Sequence, residues 1–195
     1  MKFSLHLIVL VFFLHNGLAR GAEEPRLLTR VKPLPVALDP DFQFRKTKLF
    51  FLKEKAQAAL RQQGKGAGKK AGVADAGQKS TTVGQDASVS FERKYRFFGA
   101  VTALDERQRL GDYFDFFWRS QHPADLTVRL EYRQENLHAH VQAQEISYAN
   151  VRGSRRTEFK VVGDDYFDGG RVIAWRCCLI ENGRIVAENH SFLWE

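Results

Sequence analysis

Gly163-Asp164-Asp165-Tyr166-Phe167-Asp168-Gly169-Gly170 gathers carboxylates, glycines and two aromatic rings in one short stretch. Oxygen-rich loops of this kind attract calcium, but the spacing is not that of an EF-hand loop and the closing Glu is missing. Asp and Gly also build ordinary tight connections, so the stretch reads as a turn that holds no metal. Tyr166 and Phe167, set in a polar loop, are expected to face solvent, where aromatic rings mark contact with a partner. With Asp164, Asp165 and Asp168 they form the expected ligand or partner site.

Three other groupings carry reactive side chains. Cys177 and Cys178 are adjacent, and neighbours on a strand point to opposite faces, so a bridge between them would distort the backbone. They read as small apolar fillers of a central strand, and Cys178 is the thiol for an intermolecular bridge if it faces outward. His138-x-His140 places two imidazoles on one strand face about 7 Å apart, with His190 as the third member of a zinc-like trio. Their alternation with Leu137, Ala139 and Val141, continued by Gln142 and Gln144, makes them a solvated polar face instead. Glu188 and His190 share a strand face, with Cys177 expected opposite Glu188, which is the nearest approach to a thiol, imidazole and carboxylate cluster. No flanking signature supports it. No catalytic residue, metal or cofactor is assigned, and a small secreted enzyme (hydrolytic or metal-dependent) is kept only as an alternative. A carbohydrate-binding module is the other alternative; Tyr113, Trp118, Trp175, Trp194, Tyr166 and Phe167 would be its stacking platforms. Aromatics at period two, however, belong to a core.

The elements that must position these groups begin with a leader. Lys2 is followed by an apolar run from Leu5 to Leu14 broken by His6, and Ala19-Arg20-Gly21 offers small residues for cleavage. This is the pattern of a signal peptide over residues 1–22, and it implies an exported protein, periplasmic or extracellular. An uncleaved anchor through residues 3–19 is the alternative, although the run falls short of the roughly 20 residues needed to span a bilayer. Residues 23–63 then combine a Pro-rich extension with a short amphipathic helix. Pro25, Pro33, Pro35 and Pro40 favour an extended path over a surface, and Leu49, Phe50, Leu52, Ala56, Ala59 and Leu60 form an apolar stripe at helical spacing from Thr47. The helix is expected to dock on an exposed face of its own domain, and because basic residues flank the stripe, membrane proximity or partner binding is the alternative. Residues 64–90 have almost no apolar anchor and read as a disordered linker.

From Phe91 to Glu195 the period is two. Phe91, Tyr95 and Phe97 are expected on a first strand, Phe114, Phe116 and Trp118 on one face of a second, and Leu126, Val128, Leu130 and Tyr132 on a third. The intervening Thr127, Arg129, Glu131 and Arg133 should be wet. Leu137, Ala139, Val141 and Ala143 alternate in one phase, and Ile146 and Tyr148 in the other, which implies a bulge near Gln144 or Glu145. Thr157 to Val162 is a further short strand. Asn182-Gly183 predicts a type I′ hairpin pairing Glu181 with Arg184, Leu179 with Val186, Cys177 with Glu188, Trp175 with His190 and Ile173 with Phe192. Neither face of that hairpin is plainly polar, so one of them needs a second cover.

About seven short strands joined by turns point to an all-β fold, an antiparallel sandwich of two stacked layers over residues 91–195. A small barrel is the alternative. The block resembles immunoglobulin or fibronectin type III domains in strand count and buried aromatics, while the paired cysteines of antibody-type domains are missing. The formal net charge of +7 sits in the leader and extension. From Phe91 onward roughly 15 Lys and Arg face 16 Asp and Glu, which excludes the clustered basic face that nucleic acid requires. The expected partner is a protein or envelope polymer.

Overall fold

A computed structural model describes residues 24–28, 30–53 and 90–194. The expected signal peptide, the second half of the expected amphipathic helix and residues 64–89 of the expected linker lie outside them. The described strands are β1 (Arg26–Leu28), β2 (Phe42–Leu52), β3 (Gly111–Gln134), β4 (Val141–Val162), β5 (Val172–Glu181) and β6 (Arg184–His190). Three short helices accompany them: α1 over residues 90–96, α2 (Ala103–Gln108) and α3 (Asp164–Gly169). The strands form one antiparallel sheet in the order β1-β4-β3-β5-β6, with β2 also paired to β3.

β3 and β4 make a long hairpin that folds over on itself. Pairing between them runs from Gly111↔Val162 to Ser120↔Gly153 and again from Leu126↔Tyr148 to Arg133↔Val141, with register shifts between. Pro123, which has no N–H to donate, lies in the interruption. Asn150 on the opposite strand takes a positive φ of 49°, and its N–H donates to Asp125 Oδ1 at 2.7 Å. The bend divides the hairpin into two arms. β2 pairs with β3 through Gly111–Ser120, β5 through Thr127–Gln134, and both lie on the edge of β3 away from β4.

The arms face each other across one core. Even-numbered residues of β3 stay on the inner face through the bend: Phe114, Phe116 and Trp118 in the first arm, Leu126, Val128, Leu130 and Tyr132 in the second, all buried in one cluster. The expectation for these two strands is met, but they are a single strand. Trp175 on β5 meets Phe116 with ring centroids 5.4 Å apart and Phe114 at 6.3 Å, so the two layers are in direct contact. They are the halves of one continuous, unclosed antiparallel sheet of six strands, so the expected all-β, sandwich-like arrangement is present with its two layers joined. On one side the halves are tied by Asn189 Nδ2 donating to Thr47 Oγ1 at 2.8 Å. On the other the sheet is open.

Several local readings are corrected. Phe42–Leu52 is a strand where a helix was expected from Thr47. Its extended form satisfies ten register pairs with β3, a backbone gain that a marginal single helix cannot match. Residues 90–96 are helical where Phe91, Tyr95 and Phe97 were expected on a strand. That helix points Arg96 inward, stacked 4.0 Å from the Tyr113 ring centroid and bonded to Glu158, while Phe91 and Tyr95 are exposed. No bulge occurs at Gln144 or Glu145. The phase change lies between Tyr148 and Val151, at the bend, because Leu137 belongs to a 3-10 turn (Glu135–Leu137) and Ala139 to the connection after it.

The Asn182-Gly183 turn is present, with φ of 49° and 74°, and Glu181↔Arg184 pair as expected. Beyond Ile180↔Ile185 the register slips by one. Leu179 then faces Ala187 where Val186 was expected, Cys177 faces Asn189 where Glu188 was expected, Glu188 faces Cys178, and His190 faces Arg176 where Trp175 was expected. The cause is the Pro-rich extension. It runs extended along β6, and Ile185 N donates to Pro35 O, Ala37 N to Ile185 O and Asp39 N to Val186 O, each at 2.9 Å. This strap engages the bulged residues and lets both Val186 and Ala187 enter the core. It also supplies the second cover, with Leu34 packed on Cys178, Ile180 and Ile185.

The polar face of the second arm is not wet. Arg26, Glu145, Arg129, Glu131, Arg176 and Glu188 form alternating ion pairs across β1, β4, β3, β5 and β6, at 3.5, 2.6, 3.5, 2.7 and 3.7 Å in turn. Glu131 is buried within that row. Opposite charges on neighbouring strands explain how the face tolerates burial.

Thr157 holds the two arms together at the open side. Its Oγ1 accepts from Trp118 Nε1 at 2.9 Å and lies 2.9 Å from Tyr148 OH. Thr157→Val keeps the shape and strands the fully buried indole N–H. The expected loss is about 1–3 kcal/mol, read in urea as a lower midpoint with an unchanged slope; an unmoved midpoint contradicts the clamp.

Candidate functional site

The open side is a cleft of about 900 Å³. β4 makes most of it, because the bend brings its two arms opposite each other. Ile146 and Tyr148 come from one arm, Arg155, Arg156, Glu158 and Lys160 from the other, and Val151 from the turn between. Glu24, Pro25 and Leu27 close it from the β1 side. The floor is apolar and the rim is charged, the usual character of a ligand site.

β4 is an edge strand along this cleft. β1 pairs only with Ala143, Gln144 and Glu145. Pro25 precedes Arg26 and has no N–H, so the strand ends there. From Ile146 to Lys160 no described strand pairs with that edge. Gln144 spans the gap, its Nε2 donating to Lys160 O at 2.8 Å and lying 3.4 Å from Tyr132 OH.

The charges at the rim are unevenly satisfied. Arg156 binds Asp115 Oδ1 at 2.9 Å and Glu158 Oε2 at 3.1 Å, and Lys160 reaches Glu158 at 3.4 Å. Hydrogen bonding to Asp115 holds the Arg156 guanidinium above its ordinary pKa. Burial pushes the Glu158 carboxyl up, but Lys160 and Arg96 outweigh it and leave that pKa lowered. Arg155 differs. Among the described residues it forms no ion pair, and its guanidinium meets only the neighbouring Ser154 carbonyl at 3.4 Å.

Of the residues expected to make a site, Asp165 alone lines the cleft. α3 carries it there. Gln134 is buried and donates to Asp165 O and Gly170 O, both at 2.8 Å, and a side chain at Gly169 would meet Gln134 at 2.5 Å. The acidic stretch is thus a short helix and not a bare turn. Tyr166 and Phe167 are half-buried, correcting the expectation that they face solvent. Phe167 packs with Leu52, Leu110 and Tyr113 and lies under the Arg107 guanidinium, 4.3 Å from its ring centroid. Apolar area removed from water outweighs the polarity of the surrounding loop. Asp164 pairs with Arg107, and Asp168 offers its carbonyl to Asn136.

The remaining groups stay apart. Cys178 is fully buried, its thiol pushed up to about 12 by desolvation, so it cannot face outward for an intermolecular bridge. Cys177 is buried on the core side, with its pKa well above the ordinary value for the same reason. The register slip sets Glu188 beside Cys178 and not Cys177, which dismantles the thiol, imidazole and carboxylate cluster. His138 and His140 lie in the connection between β3 and β4 and not on a strand face, and His138 has a positive φ of 52°. Among the described residues no three His, Cys, Asp or Glu come together to hold a metal. The aromatics are absorbed by packing: Trp118 and Trp175 in the core, Tyr113 under Arg96, and Trp194 between Arg133 and Arg176 at 4.9 and 5.4 Å.

The residues that sequence reasoning passed over are Leu27, Ile146, Tyr148, Val151 and Arg155. One signal was available: Ile146 and Tyr148 are apolar in one phase and Val151 in the other, and β4 turns back between them. No protein family, no curated protein and no solved structure matches this chain.

Asp112 holds the start of β5 by accepting from Val172 N at 2.7 Å, and burial raises its carboxyl from 3.8 to about 6. Neighbouring Lys53 and Arg171 only partly oppose that rise. A carboxyl raised in the folded state contributes stability below its unfolded pKa of 3.8, and that contribution is lost as pH rises through about 6. Asp112→Asn keeps an acceptor for Val172. It is expected to stabilise the protein by on the order of 1–3 kcal/mol near pH 8 and to lose that advantage near pH 4; equal effects at both, in urea unfolding, contradict the assignment.

Proposed function

We propose that this chain is an exported, non-catalytic binding module of the cell envelope or extracellular space, and that the cleft along β4 receives its protein or polymer partner. The observation that carries this reading is the cleft itself: an apolar floor beside an unpaired strand edge, with Arg155 at its rim lacking a counter-ion among the described residues. Arg156, Glu158 and Lys160 pair with one another, and among the described residues of the lining no nucleophile stands beside a base, which favours binding over catalysis. The strap over β6 and the row of ion pairs cover the second arm, so the recognition surface falls to the open side. Export rests on the leader pattern of residues 1–22. Among the described residues no helix is long and apolar enough to cross a membrane.

The test compares the full chain with Leu27→Lys and Arg155→Glu, both at exposed positions, in capture from an envelope extract. Phe192→Ser, also at an exposed position, is the control. A partner held by the parent and the control but lost by both cleft variants is the expected result. Equal capture by all four overturns the cleft as the site. Fractionation checks export: the protein should lie in the envelope or medium with its N-terminus near Gly21 or Ala22, and a cytosolic chain retaining Met1 overturns it.

A further inference from the structure

We infer that the occupant of the cleft is an extended peptide segment of a partner protein, added to β4 as a further antiparallel strand, with alternate apolar residues and an acidic residue set against Arg155. This deepens the binding-module reading and rests on it. Lys160 O accepts from Gln144 across the opening, and Ser154 O meets the Arg155 guanidinium. Both carbonyls therefore point away from β3. Backbone groups of a strand alternate in direction, so the N–H and C=O of Arg156 and Glu158 point into the opening as well.

Such an edge is a template for another strand. β1 shows the mode in miniature: it occupies the same edge of β4 for three residues and stops at Pro25. An added strand would take the same side of β4 in the other arm, along Ser154 to Lys160, across the cleft from β1. Ser154 to Lys160 offers about 20 Å of edge at the usual rise per residue, room for a peptide of about seven residues. Every second side chain of that peptide would turn toward Leu27, Ile146, Tyr148 and Val151 on the floor. These four are apolar or aromatic, so the matching peptide positions are apolar.

Charge selects the remaining residue. Arg156 and Lys160 are neutralised by Asp115 and Glu158, which leaves Arg155 as the lining cation that draws an acidic group. An amphiphile with a carboxylate head would also satisfy Arg155 and the floor, but it would leave the edge N–H groups unpaired. The peptide satisfies all three features.

The experiment titrates the full chain, up to millimolar, with an end-capped seven-residue peptide alternating valine and threonine and carrying one glutamate. Amide exchange is followed by NMR. Slowed exchange at Ser154, Arg156 and Glu158 is expected. Arg155→Glu is expected to weaken binding about tenfold and to favour the matching lysine peptide by a similar factor. A peptide N-methylated on its pairing edge should give no protection.

Unprotected edge amides overturn strand addition. Unchanged affinity in Arg155→Glu overturns the acidic preference. Sodium dodecanoate that shifts Ile146 and Tyr148 without protecting the edge amides, where the peptide does nothing, replaces the peptide with an amphiphile. If the peptide fails while extract capture still depends on Leu27 and Arg155, strand addition falls and the binding module stands; if capture is also indifferent to both residues, both readings fall.

Discussion

The fold depends on one constraint: β3 and β4 must bend together. A hairpin with strands of 24 and 22 residues is far longer than an ordinary strand pair, and left straight it would expose its aromatic face along its whole length. Pro123 and the interrupted ladder on one strand, and the positive φ of Asn150 capped by Asp125 on the other, allow the hairpin to close on that face. Once it closes, the inner residues of both arms belong to one cluster. The remaining elements then have fixed tasks: β2 and β5 extend the two arms from a shared edge, and β6 meets β2 on the far side.

Closing one side of a folded sheet leaves the other open. At the closed side Asn189 and Thr47 bridge the layers, and the Pro-rich strap seals the edge of β6 with backbone hydrogen bonds. At the open side the bridging is done by side chains alone: Gln144 to Lys160, and Thr157 with Trp118 and Tyr148. Side-chain bridges hold two layers together without satisfying the backbone of an edge strand. A cleft with unused hydrogen-bonding capacity is the consequence, and it sits where the apolar floor is least covered.

Legibility in the sequence followed the clarity of the alternation. Phe114 to Trp118 repeats an aromatic ring at every second position and Leu126 to Tyr132 alternates apolar with polar residues, so their strand character could be read from the sequence. Phe42 to Leu52 could not, because Phe50 and Leu52 pack in a second small cluster while Phe42 and Phe44 join the main one, and a strand with apolar residues on both faces loses its period. Residues 91 to 97 misled for the opposite reason. Phe91 and Tyr95 are four apart, a helical interval, but they are exposed, and the inward residue of that helix is Arg96. The Asn182-Gly183 turn was legible because positive φ is a local demand; the slip beyond Ile180 was not, because it comes from a strap some 150 residues earlier in the chain. The cleft was legible only as a change of apolar phase between Tyr148 and Val151.

The amino-acid order alone determined the all-β character, the hairpin turn, the buried faces of β3 and the apolar role of both cysteines. These follow from side-chain period, backbone preference and small size, which act over a few neighbouring residues. Tertiary structure decided that two expected strands are one bent strand, that Tyr166 and Phe167 are half-covered, and that Arg155 and Ile146 share a cleft. Those outcomes depend on which distant surfaces meet when the hairpin folds, and a local pattern carries no record of a contact made between residues far apart along the chain.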